Sequence, residues 1–215
     1  MRRLPITTPS RRIHPAIKIT IGLLLLAGVV VLFFRSANSA RAEPYSVRGA
    51  QLTGWTIEAN SAPDESGGLV SLRPPRELPM NLFRQLFSRH MESLTTPNAP
   101  GIVLVLRREV PGSLSAEAVI ALARAAGLGQ SAVAPKCVGS RRISETGITR
   151  QVYFVWFDVP GFDPFRQSLA AAAGQGFAAN GLSPVLLLAA QPDFLGWMPI
   201  VVDEQRDCIA PVAVE

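Results

Sequence analysis

Acid–base chemistry needs two ionisable groups that converge on one substrate. Two carboxylates, Asp158 and Asp163, bracket the loop after the run TRQVYFVWFDV. Sheet enzymes often place such groups at strand ends, where hydrolysis or group transfer at a glycosidic bond draws on one acid and one base. These two are the candidate catalytic pair. A plainer reading competes: Asp163 stands before Pro164 as the N-cap and N1 pair of a helix, and Asp158 closes a strand.

Other catalytic constellations lack a member. His90 is the only histidine beyond Ala42, it stands beside Phe83, Phe87 and Met91 at helical spacing, and no G-x-S-x-G elbow occurs. Gly174, Gly176 and Ala179 match a dinucleotide fingerprint by letter. That motif needs a strand before it and a helix after it, so that the pyrophosphate meets a helix N-terminus. Here an Ala-rich helical run precedes and Pro184 follows, so the glycines read as a helix stop. No phosphate loop, calcium loop or C-x-x-C occurs, and neither a cofactor nor a metal is expected.

Three further groups are candidates for binding or bonding. Arg141 and Arg142, in the GSRRIS run, suit an anion held through bidentate guanidinium contacts, with a solvated loop as the plainer reading. Phe194, Leu195, Trp197 and Met198 crowd a turn-like stretch between Pro192 and Pro199, which either folds over the core or presents an interface. Cys137 and Cys208 are the two cysteines, and in an oxidising compartment such a pair forms a disulfide.

The charge distribution decides which compartment that is. Of 21 Lys and Arg, Arg2, Arg3, Arg11, Arg12, Lys18, Arg35 and Arg41 precede Ala42, where no acid occurs; the remaining 14 face 16 acids, a net of −2. The basic character therefore belongs to the N-terminal segment, and the rest lacks the clustered cations that phosphate backbones require, which excludes nucleic acid as a partner. From Ile17 to Phe34 the chain reads IKITIGLLLLAGVVVLFF, uncharged after Lys18. A membrane helix needs roughly 17–25 residues of this kind, and the excess of cations on its N-terminal side favours a cytoplasmic N-terminus. The competing reading is a signal peptide cleaved after Ala42, at the Ala40-Arg41-Ala42 pattern, which would release a secreted ligand-binding protein.

The expected organisation is a basic cytoplasmic leader over 1–16, a transmembrane signal-anchor over 17–34, a linker over 35–44 and one extracytoplasmic domain over 45–215. Within the domain, Gln51–Glu58 and Leu69–Leu72 read as a hairpin, and Leu78–Leu94 as an amphipathic helix on Met80, Phe83, Phe87, Met91 and Leu94, widened by Leu82 and Leu86. Gly101–Arg107 reads as a central strand, and Ser115 caps a helix that reaches Leu128 before the glycines. Val138–Gly147 is irregular or a short strand, and Thr149–Val159 is the strongest strand. A helix from Asp163 to about Gly174 and strands at Val185–Ala190 and Ile200–Val202 follow.

The fold class is α+β, or α/β: a two-layer sandwich with a mixed sheet and about three helices. The function this implies is binding or assembly within an envelope system, with other envelope or membrane proteins as partners. An extracytoplasmic carboxylate-dependent hydrolase or transferase is the alternative.

Overall fold

The structure, a computed structural model, describes residues 15–60, 67–90, 93–145, 148–174, 176–191 and 200–215; within the first helix, side chains are described for 19–33 and 35. The chain divides into two compact units, Met1–Ala40 and Arg41–Glu215.

The first unit holds α1 (Pro15–Ala42), whose last residues reach into the second. The helix runs through residues 35–42, which the sequence reads as linker: Ser, Ala, Asn and Arg there include no Gly or Pro to stop it. Leu23, Leu24, Leu25 and Leu26, then Val29, Val30, Val31, Leu32 and Phe33, are all exposed, so α1 is apolar around its circumference. Among the described residues no helix is long and apolar enough to cross a membrane.

The second unit is α+β. Its elements are β1 (Tyr45–Val47), β2 (Thr56–Ala59), β3 (Gly68–Arg73), α2 (Glu77–His90), β4 (Ile102–Leu106), α3 (Ala116–Ala125), β5 (Ala134–Glu145), β6 (Ile148–Asp158), α4 (Phe162–Ala173), β7 (Val185–Gln191), the single turn α5 (Glu204–Asp207) and β8 (Cys208–Val214). One mixed eight-stranded sheet runs β1-β8-β5-β6-β7-β4-β3-β2. Only β1 and β8 pair in parallel; each other described pair is antiparallel.

β4 is buried at every position, as its unbroken apolar run requires. β6 alternates instead. Tyr153, Val155 and Phe157 join the core that also holds Leu78, Leu82 and Leu86 of α2, Val119 and Ala123 of α3, and Phe162, Phe165 and Leu169 of α4. Val152 and Phe154 turn to the opposite face, where Val103, Leu106, Val185, Leu187, Leu182 and Ile200 form a second cluster. Helices thus cover one face of the sheet and the chain around Leu182 and Ile200 covers part of the other.

Caps place the helices. The Ser115 hydroxyl accepts from the Ala118 amide, and α3 ends in a left-handed stop: Leu128 N–H reaches Ala123 O, Gly127 N–H reaches Arg124 O, and Gly127 has φ 79°. Asp163 does not cap α4. The N-cap is Gly161, at φ 86°, and a Cβ there would lie 2.2 Å from Ala126 O, so this glycine lets α4 start against the end of α3.

Three more expectations change. Residues 134–145 form a long strand whose partner is β6 in a continuous hairpin, because Gly139 leaves room for the Phe154 ring across the ladder. Residues 200–202 form no strand; Ile200 O and Val202 N–H bond the Ser183 amide and hydroxyl instead. The last strand is β8, with β1 beyond it.

Candidate functional site

Asp158 ends β6 and Asp163 stands in the first turn of α4. The intervening turn brings both to one cleft of about 240 Å³, with Lys136, Trp156, Phe162, Asn180 and Ser183 around it. The Lys136 ammonium lies 4.1 Å from the Trp156 ring centre, a cation–π contact that holds the cation beside the cleft. Both carboxylates are exposed. The arrangement is a small polar cleft of two acids and one amine, able to hold a polar or zwitterionic group by charge.

Cys137 and Cys208 are bonded, with Cα atoms 5.7 Å apart across the β5–β8 ladder. Beside them Arg141 is not open to an outside anion. It makes a two-pronged ion pair with Asp207 and donates to Val201 O at 2.8 Å, while Asp207 also accepts from the Asp203 amide at 2.8 Å. Asp207 is only 2% exposed. Burial pushes its carboxyl pKa up, but the Arg141 guanidinium and the Asp203 amide outweigh that, so the group sits below the usual carboxylate range. Arg142, the next residue on the strand, points to the other face and donates to Gln151. The two arginines are therefore not one anion site. Phe194, Leu195, Trp197 and Met198 lie outside the described residues.

A second polar node escapes the sequence reading. Arg166 is 1% exposed, and its guanidinium donates to Leu104 O at 3.2 Å, Ala178 O at 2.7 Å, Ala179 O at 3.1 Å and both oxygens of Glu109 at 2.9 and 3.3 Å. The guanidinium carbon itself lies over the Phe177 ring, 4.3 Å from the centroid, a cation–π contact. The signal was present: Arg166 occupies a position of the Phe162, Phe165, Leu169 stripe, where a cation is buried and must be paired. Nothing here is open to a ligand; the node ties β4, α4 and the chain after α4 together.

The junction at β1 is similarly closed. The Gln85 side chain accepts from Ser46 N–H and donates to Ser46 O, and Asn81 donates to the same oxygen, so α2 amides occupy the outer edge of β1 as another strand would. Arg89 donates to Glu43 O and Pro44 O and lies 4.0 Å over the Tyr45 ring. Burial raises the Tyr45 hydroxyl pKa, with Arg89 partly opposing. Residues 43–47 are thus fastened to the domain rather than a free tether.

The outer face of α2 reverses the expectation. Leu78, Leu82 and Leu86 are buried, whereas Met80 and Phe87 are 52% and 50% exposed and Phe83 is half-buried against Phe87. Both stripes are apolar at helical spacing, so periodicity alone does not select which one packs. His90 closes the outer stripe and lies 4.9 Å from the Tyr153 ring. Beside Met80 and Phe83 opens the larger cleft, about 540 Å³, lined also by Arg73, Pro74, Arg76, Pro79 and Pro100. Among the described residues no cluster of His, Cys, Asp and Glu is arranged to hold a metal ion. No protein-family model, curated protein or solved structure matches this chain.

Proposed function

We propose that the protein is a single-pass membrane protein whose disulfide-bonded α+β domain lies outside the cytoplasm and acts by binding other proteins of an envelope assembly. The observation that carries the binding half is α2: the large apolar side chains of Met80 and Phe87 stand half in water, and Met80 and Phe83 line a cleft of about 540 Å³. Exposed apolar surface beside a concave site favours a protein partner. The membrane half draws support from α1, whose apolar side chains face outward all round and gain burial in a bilayer, and from the seven cations before Ala42 with no acid.

Alkaline washing of membranes tests the anchor. The full chain should stay in the pellet, and Leu25→Arg should release it or block export; release of the unaltered chain defeats the membrane half.

A second reading, carboxylate-dependent hydrolysis or group transfer, rests on Asp158 and Asp163 sharing one cleft with Lys136. Substituting both with Asn separates the readings, since a binding protein keeps its function and an enzyme loses it.

A further inference from the structure

The outer stripe of α2 has a geometry that specifies its partner. Met80, Phe83 and Phe87 recur at three- and four-residue steps, the spacing of a seam that receives another helix. One flank of this seam carries Glu77 and Arg84, seven residues and so about 10 Å apart along the axis. Neither has a hydrogen-bond or ion-pair partner among the described residues. A second α2 laid antiparallel, with the two-fold axis at Met80, places Glu77 of each helix beside Arg84 of the other.

The same register carries Phe87 of each copy to the level of Pro74 in its partner, at the mouth of the cleft lined by Arg76, Pro79, Met80 and Phe83. A parallel two-fold pair puts this flank of the two helices on opposite sides of the seam, so Glu77 and Arg84 do not meet across it. Charge and shape therefore select one arrangement.

We infer that the α2 face binds a second copy of this chain: a two-fold antiparallel α2 pair with reciprocal Glu77–Arg84 ion pairs and each Phe87 ring seated in the partner's cleft. This rests on the reading of the α2 face as a protein-binding surface and not on the membrane anchor. The contact is isologous, so it closes at two copies. One helix and one cleft per copy make an interface at the small end of the range, so the pair is expected to dissociate on dilution.

Sedimentation of the full chain in detergent micelles, over a concentration series, tests it. The unaltered chain should form dimers. Phe87→Asp should weaken them about a hundredfold or more with the near-ultraviolet circular dichroism retained. Glu77→Arg and Arg84→Glu should each weaken association about tenfold, and the double variant should restore it. A monomer at every concentration, or a double variant no better than the singles, overturns the inference. A photo-crosslinking residue at position 87 in cells then distinguishes the levels. Capture of a different protein defeats the second copy and leaves the binding reading standing; capture of nothing defeats both.

Discussion

Replacing Arg166 with Met keeps an unbranched apolar side chain and removes every donor, together with the cation over the Phe177 ring. Left behind are the carbonyls of Leu104, Ala178 and Ala179 and the carboxylate of Glu109, whose side chain is 16% exposed. Breaking a buried pair by deleting one partner costs about 3–5 kcal/mol, and a carbonyl that water cannot reach adds about 1 kcal/mol or more. Some water reaches Glu109, so a total of about 4–6 kcal/mol follows for Arg166→Met. At about 2–4 °C per kcal/mol for a domain of this size, Tm falls by roughly 10–20 °C.

Urea unfolding of the full chain in micelles, read by tryptophan fluorescence, measures the loss. Glu109→Gln keeps an acceptor for the Leu106 amide and should cost less. The double variant should be more stable than the sum of the singles implies, by about 1–3 kcal/mol, because no carboxylate is then orphaned. A loss below about 1 kcal/mol for Arg166→Met would show that water solvates the node and that the pairing does not hold β4 to α4.

Replacing Cys137 and Cys208 together with Ala opens a loop whose ends are 71 residues apart and should cost about 4 kcal/mol, seen as a lower urea midpoint; equal midpoints with and without the bond would refute it. Asp207 titrates in the folded chain below its usual range, so its contribution is complete at neutral pH and is lost as pH falls from about 5 through the depressed value. Asp207→Asn should therefore lie about 2–3 kcal/mol below the unaltered chain at pH 7 and converge with it in acid, in parallel melts from pH 7 to 2. Asp158→Asn with Asp163→Asn should leave Tm within about 1 °C, because both carboxylates are exposed; a larger fall would assign them a structural role.

Elements whose stabilising contacts are local were legible before the structure. The Ser115 cap, the glycine stop after α3, the apolar run of β4 and the alternation in β6 all depend on neighbours within a few residues. The bond between Cys137 and Cys208 followed from cysteine number. What escaped depends on distant chain. β5 is polar on its outward face, and only its long register with β6 makes a strand of it. β1 has three residues and is held by β8, which pairs with β5 on its other side, and Pro211 weakens the strand signal of β8. Asp163 looked like a cap, but the close approach of Gly161 to Ala126 O sets where α4 begins.

The same division runs through the candidate site. Asp158 and Asp163 proved to share a cleft, as residues flanking one turn do. Arg141 carried no hint of Asp207, 66 positions away. On α2 two apolar stripes competed, and the packing of Leu78, Leu82 and Leu86 against the sheet left Met80 and Phe87 outside.

The central claim is a membrane-held chain with an oxidised domain outside the cytoplasm, and intact mass of the protein from fractionated native cells, kept non-reducing, tests it most directly. The account predicts a full-length species in the membrane fraction, lighter than the reduced chain by the hydrogens of its two thiols. A species beginning at Glu43 in the soluble fraction, or a membrane species with both thiols free, would contradict it.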